Sequence, residues 1–219
     1  MSTIVLDTES VYIPGWVTDL ESFRRWVYSP EFPETGRISF LGEVWVDMSK
    51  EQFTHNQAKG EIGGVLTHLA KQSRRGRYFP DGYLLTNVAV GLSTNPDGMF
   101  VSLKNLRSGR VRLVEGAEEG YVELQGTPDM ALEVISQSSV AKDTEMLRDL
   151  YWRAGISEYW LVDVRGQGLE FTILRRGPRG YGAVRPQAGW LKSTVFGKSF
   201  RLTQQTDALG FPEYTLAVR

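Results

Sequence analysis

The stretch Pro128 to Ser139, PDMALEVISQSS, decides the fold, because it sets two carboxylates into what otherwise reads as a buried strand. Ala131, Leu132, Val134 and Ile135 make a continuous apolar run of strand length, with Pro128 before it and a Ser/Gln cluster after it. A charge in such a run is costly unless it is paired or bound to a metal. The side-chain period of two puts Asp129, Ala131, Glu133 and Ile135 on one face, so both acids point the same way. Four residues at roughly 3.3 Å each still keep Asp129 and Glu133 about 13 Å apart, too far for two ligands of one ion. If Glu133 holds a metal, its partner comes from elsewhere in the chain.

Downstream, KDTEMLRDLYWRAG (142–155) reads as a helix with Leu147, Leu150 and Tyr151 on one face and Gly155 as its stop, and EYWLVDV (158–164) as another strand. Upstream, YLLTNVAVGL (83–92) and GMFVSL (98–103) are β-rich runs joined by STNPD, short enough for antiparallel neighbours, with Asp97 opening the second. RVRLVE and YVELQ read as further strands around the acidic turn GAEEG (116–120). Ile62, Val65, Leu66, Leu69 and Ala70 form the apolar stripe of a long helix from about Phe53 to Gln72, and the cations of KQSRRGR suit its C-terminus. Residues 38–48 read as a strand pair around a glycine, and 18–28 as a short amphipathic helix behind a Thr18 cap. Residues 166–219 hold short strands such as EFTILRR and VFGKSFRL between Gly/Pro turns. This order argues α/β or α+β with a mixed central sheet.

The totals bound the function. A chain of 219 residues that is 41% hydrophobic fits one large domain with decorated ends. A formal net charge of -1 advertises no nucleic acid, so a phosphate-binding surface must come from a local cluster such as Arg74, Arg75 and Arg77, or Arg175, Arg176 and Arg179. The absence of cysteine removes disulfides, thiolate zinc sites and cysteine nucleophiles, and fits a cytoplasmic setting. No targeting segment and no long apolar run is visible, so no membrane segment is expected. His55 and His68 are far from HExxH spacing, and no G-x-S-x-G, P-loop or G-x-G-x-x-G occurs. Zinc protease, serine hydrolase and nucleotide-binding readings go with them. Trp152, Tyr159 and Trp160 fall on apolar periodicities and read as core.

PDMALEVISQSS followed by LRDLYWRAGISEYWLVD resembles the putative restriction endonuclease family (Uma-type) of the PD-(D/E)XK nuclease superfamily, in its order Pro-Asp, Glu-Val, Ser, then Tyr, Ala-Gly, Glu-Tyr-Trp, Val-Asp. GEVWVDMS, THNQ opening a helix and NPDGMFVS extend the resemblance upstream. It implies a restriction-endonuclease-like domain over 38–205, a mixed central sheet flanked by helices with extra β-hairpins, between an N-terminal helical extension (1–37) and a C-terminal tail (206–219). It also implies Asp97 on one strand and Glu133 on its neighbour, holding Mg²⁺ or Mn²⁺ with the backbone carbonyl of Ile135, and a water activated against a DNA phosphodiester. Facing residues of adjacent strands lie about 5 Å apart, within reach of one hard cation.

The sequence departs from the E-x-K signature at position 135, where Ile stands for Lys. Lys142 is the nearest replacement and equally reads as a solvated loop residue; Arg148 is a weaker substitute. Asp129, behind Pro128, reads as an acceptor for turn amides, and Asp97 in NPDG has the same alternative. Related sequences also carry a histidine near His55, which opens a place for it in the site, and Glu61 either lends a carboxylate or faces solvent. Two functions stand: a metal-dependent DNA endonuclease with Asp97, Glu133 and Lys142 as catalytic residues, for which a homodimer is allowed, and a catalytically inactive nuclease fold that binds nucleic acid or a protein partner. Ile135 keeps the second open.

Overall fold

Met130–Ile135 is buried at every residue and pairs with a strand on each side, as a run of apolar residues bounded by Pro and Ser should. The computed structural model describes residues 2–6, 9–116, 120–166 and 168–219. Its elements begin with β1 (Ser2–Leu6), β2 (Glu9–Ile13), α1 (Leu20–Val27), β3 (Arg37–Leu41), β4 (Val44–Asp47), α2 (Phe53–Ser73), β5 (Gly76–Pro80), β6 (Leu84–Asn87), β7 (Leu92–Thr94) and β8 (Gly98–Ser102). They continue with α3 (Leu103–Arg107), β9 (Val111–Glu115), β10 (Tyr121–Gly126), β11 (Met130–Ile135), α4 (Leu147–Ala154), β12 (Glu158–Asp163), β13 (Glu170–Gly177) and β14 (Gly180–Ala183). The chain closes with β15 (Leu191–Lys192), β16 (Ser199–Thr206) and β17 (Pro212–Val218).

The central sheet has the order β14-β13-β12-β11-β8-β5, with β11 parallel to β12 and antiparallel to β8. Leu132 and Val134 face the α2 stripe of Ala58, Ile62, Leu66 and Ala70 and the Phe200, Leu202 and Leu216 side chains of the β15-β16-β17 sheet. Ala131, on the opposite face, packs with Leu147 and Tyr151 of the α4 helix and with Leu41, Leu85, Leu92 and Leu124 of a second sheet, β4-β3-β7-β6-β10-β9. The fold is α+β, with mixed sheets and few helices. Among the described residues no helix is long and apolar enough to cross a membrane.

Three local expectations change. The run 83–92 is broken by a 3₁₀ turn, Val88–Val90, that ends on left-handed Gly91 (φ 67°), so β6 folds back on β7 within the second sheet. The runs on either side of STNPD therefore lie in different sheets, and β8 pairs instead with β5 and β11. Asp19 rather than Thr18 caps α1: its side chain accepts from the Ser22 amide at 2.8 Å, and Ser22 Oγ accepts from the Asp19 amide at 3.0 Å. Residues 206–219, expected as a tail, carry β17, which pairs along β16 and sends Tyr214 and Leu216 into the core. The β9–β10 pairing is antiparallel, and Ala117–Glu119 of the GAEEG turn lie outside the described residues.

The α1 helix is fixed to the second sheet through a buried charge. Glu123 on β10 is fully buried and receives Arg24 Nε at 3.0 Å and Arg24 Nη2 at 2.8 Å, with the Tyr28 hydroxyl also donating to it. Burial pushes this carboxyl up, and the Arg24 and Tyr28 bonds outweigh it and hold it below the usual range. Arg24→Met should leave the charge unpaired and lower stability by about 3 kcal/mol. Urea denaturation should show a lower midpoint at unchanged slope, and adding Glu123→Gln should restore most of the loss, since a neutral pair removes the stranded charge.

Candidate active site

The antiparallel register Met99↔Ala131 and Gly98↔Leu132 continues to place Asp97 opposite Glu133, on the same face of the central sheet. Asp97 is only 2% exposed, and its Oδ2 accepts the Val134 amide at 2.7 Å, so the residue before β8 is sewn to the end of β11. Gly98, the next residue, leaves room for Tyr78 of β5. A Cβ there would lie 1.9 Å from the Tyr78 hydroxyl oxygen.

On the α2 side, His55 continues the buried stripe of that helix to its first turn and aims at the same point. Its Nε2 donates to the Val134 carbonyl at 2.6 Å and lies 3.5 Å from Asp97 Oδ2, while Nδ1 sits 2.9 Å from Glu51 Oε1. Carbonyl and carboxylate are both acceptors, so the ring with a proton on each nitrogen satisfies both. Burial lowers the imidazole pKa, but Asp97 and Glu51 outweigh it and the net direction is upward. Lys59, one turn further, reaches Asp81 at 2.7 Å, Glu51 and, at 3.9 Å, Asp97. Arg37 from β3 stands 3.4 Å from Asp97, 3.5 Å from Asp81 and 3.6 Å from Glu51. Burial pushes the Asp97 carboxyl up; His55, Arg37 and the Val134 amide outweigh it and hold it below the usual range.

On the α4 side, Glu133 is buried and accepts the Tyr151 hydroxyl at 2.8 Å. Lys142 opens a π-helical turn, Lys142–Met146, that runs into α4. Its ammonium is buried against the Trp45 ring, 5.5 Å from the centroid, and 3.3 Å from Asp143 Oδ1. Burial lowers the Lys142 pKa, and attraction from Glu133, Asp143 and Asp97 reverses the direction. Asp143 is itself buried, takes a hydrogen bond from Ser139 Oγ on one oxygen, and has no hydrogen-bond partner for the other among the described residues. Burial pushes Glu133 well up; Lys142 and Tyr151 oppose this, and Asp143 and Asp97 add to it.

Asp97, Glu133, Lys142 and His55 therefore meet at one end of β11, and other sequence candidates lie apart. Asp129 Oδ2 accepts the Ser102 amide at 2.6 Å, the turn-type bond expected of it. Glu61 accepts the Leu216 amide at 2.8 Å, and Arg148 donates to the Tyr181 carbonyl at 3.2 Å. Ile135 pairs with Asp163 of β12. Val134 turns its N–H and C=O to Asp97 and His55, and strand amides alternate in direction, so the Ile135 carbonyl points to β12 and the carbonyl on the Asp97 side is that of Val134. Arg77 pairs with Val101 and Arg175 with Glu158, which place both arginine clusters toward the opposite end of the sheet from Glu133. Arg37, Lys59, Glu51, Asp81 and Asp143 were not read from the sequence. The one signal available was the position of His55 and Lys59 on or beside the Ala58-Ile62-Leu66-Ala70 stripe.

Among the described residues no three His, Asp or Glu side chains form a ready metal-binding group. The donor set at the strand ends is nevertheless hard oxygen, from Asp97 and Glu133 with the Val134 carbonyl beside them. That fits a Mg²⁺-like cation, which typically takes one or two carboxylates and completes its shell with water and substrate phosphate.

Residues 20–205 match the family Uma2, described as "Putative restriction endonuclease", and the chain belongs to that family. A solved structure, described as "a putative nuclease belonging to DUF820 from Anabaena variabilis ATCC 29413", is similar in fold: TM-score 0.57 at 19% identity, covering 82% of this chain and 90% of that one. No curated protein matches the chain. The class defined by fold and family is thus the restriction-endonuclease-like nucleases.

The raised Glu133 carboxyl has a consequence for stability. A carboxyl that binds its proton more tightly in the folded chain destabilises the fold increasingly as pH rises from the ordinary value of 4.5 through its raised value. Glu133→Gln should remove that penalty. Melting curves should show a neutral-pH Tm equal to the parent or a few degrees higher, on the order of 1 kcal/mol, with the difference closing below pH 4.5. A large loss at neutral pH would instead identify a structural Glu133–Lys142 pair.

Proposed function

We propose that the chain is a divalent-cation-dependent endonuclease that hydrolyses DNA phosphodiester bonds, with Asp97 and Glu133 as the carboxylates that hold the cation. The observation that carries this reading is the pairing of two buried carboxylates on one face at adjoining strand ends, with a buried lysine beside one of them. Mg²⁺ or Mn²⁺ held there supplies Lewis acidity, lowering the pKa of a water and neutralising a phosphoryl oxygen. Glu133, whose burial favours its proton, is a ligand once that proton is lost. Lys142 favours the loss and fills the place of the signature lysine that Ile135 leaves vacant. Its ammonium, fixed between Trp45 and Asp143, orients the attacking water or meets charge developing on the phosphoryl oxygen. The Val134 carbonyl, rather than that of Ile135, is the backbone ligand in this reading.

His55 has a defined part. As an imidazolium it neutralises Asp97 and donates to the Val134 carbonyl in the cation-free chain, and a cation that took both of these acceptors would disfavour the proton on Nε2. The remaining Nδ1–H then points at Glu51, the carboxylate support common behind histidine ligands. The competing reading, an inactive nuclease fold, draws on the cations already gathered around Asp97.

Supercoiled plasmid incubated with the chain and Mn²⁺ or Mg²⁺ should be nicked or linearised, and EDTA should stop it. Asp97→Asn and Glu133→Gln should abolish cutting, and Lys142→Met should slow it about a hundredfold without weakening Mn²⁺ binding. An uncut plasmid together with no calorimetric Mn²⁺ binding would establish the inactive reading. Mn²⁺ titrations in buffers of different ionisation heat should also show proton release from His55 and from Glu133, and a His55→Gln chain should lose the His55 share while keeping that of Glu133.

A further inference from the structure

Among the described residues, Arg37 is set among three carboxylates and makes a short contact with none of them. Two other arginines show what a short, forked pair looks like: Arg24 meets Glu123 at 3.0 and 2.8 Å, and Arg165 meets Asp163 at 2.9 and 2.7 Å, whereas exposed Arg153 touches Asp149 once, at 3.4 Å. Arg37 has three carboxylates around it and, among the described residues, none nearer than 3.4 Å. Its five fixed donors are the geometry that suits a planar or tetrahedral oxyanion bound through two oxygens. Lys59 adds a second cation, shared between Asp81 and Glu51.

The position is as telling as the pairing. Glu51 and Asp81 are about one-third exposed, at 32% and 34%, whereas Asp97 behind the two cations is 2% exposed. Arg37, at 33%, is as open to solvent as these two carboxylates, Lys59 lies deeper at 12%, and the acid of the site lies beneath them all. Arg37, Lys59 and a protonated His55 balance Glu51, Asp81 and Asp97, so the belt is self-neutralised without a ligand. Lys142 lies on the other side, against Asp143 and Trp45. The two arginine clusters visible in the sequence sit toward the far end of the sheet and cannot serve this spot.

We propose that Arg37, seconded by Lys59, is the phosphate receptor of the site: on binding, the two cations turn from Glu51 and Asp81 to the non-bridging oxygens of the scissile phosphodiester. This rests on the nuclease reading and adds to it the residues that seize the substrate. Glu51 and Asp81 then act as stand-ins for the phosphate, keeping the cations extended toward the cleft and discouraging binding of anions that offer a single weak contact. Asp97 is left to its own partners when the phosphate arrives.

The test is binding of a fluorescent DNA duplex in Ca²⁺, followed by anisotropy over a range of salt concentrations, alongside plasmid cutting in Mn²⁺. Arg37→Met and Lys59→Met should each weaken binding about tenfold and reduce the salt slope by about one. Arg37→Lys should keep the slope yet cut more slowly, because an ammonium cannot fork. Asp81→Asn should tighten binding several-fold, a gain that a folding defect cannot imitate. A parent chain that binds and cuts, with Arg37→Met and Asp81→Asn matching it in affinity and slope, overturns the receptor and leaves the nuclease reading standing. A parent chain that neither binds duplex nor cuts plasmid overturns both.

Discussion

Everything at the functional end of this molecule follows from burying charge at the terminus of a central strand. Glu133, Asp97, Asp143 and Lys142 all lie at or below 5% exposure, in a region that would normally exclude them. Each must be compensated by neighbours rather than by water. The compensation is uneven. Asp97 is oversupplied, with an amide, an imidazole, an arginine and a lysine in reach, whereas Glu133 has one tyrosine hydroxyl and a nearby ammonium that Asp143 shares. Two facing carboxylates with opposite displacements, one held low and one pushed high, make a site that is electrostatically unfinished.

The sheet supplies the precision. Register between β8 and β11 fixes which residue faces Glu133, and a slip of one residue would turn Asp97 to the α2 face. The hydrogen bond from the Val134 amide to Asp97 locks that register at its last position, where the strand ladder itself has ended. Because the two faces of the sheet carry different layers, the site draws His55 and Lys59 from α2 on one side and Lys142, Asp143 and Tyr151 from the α4 region on the other. The β3–β4 hairpin closes over both, with Arg37 reaching Asp97, Trp45 covering Lys142, and Asp47 accepting the Ser138 hydroxyl at 3.0 Å. Three separate layers thus fix one cluster of side chains.

On the proposed reading, the charge of the missing signature lysine has moved to Lys142 while its place is kept. A lysine at 135 would extend from the same face of β11 as Glu133. Here that position is a buried isoleucine, and the ammonium arrives from the next element through a π-helical turn, a widening of the helix often found at functional sites. Trp45 and Asp143 hold it there. A solvated lysine would carry no such pair of contacts.

The sequence by itself determined the central strand, the long helix, the α4 region and the family, because apolar periodicity and the order of short motifs are local properties of the chain. It also singled out Glu133, since an acid in an apolar run demands an explanation whatever the fold, while Asp97 in its NPDG turn came only with the family resemblance. What it left undetermined depended on contacts distant in sequence. Arg37 and Asp97 are brought together by the meeting of two sheets, and Glu51, Lys59 and Asp81 by the approach of a helix to a turn. The separation of the runs flanking STNPD turned on a 3₁₀ turn at Val88–Val90 that strand propensity does not encode, and β17 became part of the core only by pairing with β16. Which carbonyl faces the acids was decided by strand alternation within the assembled sheet, where one residue separates Val134 from Ile135 and reverses the direction of the backbone groups.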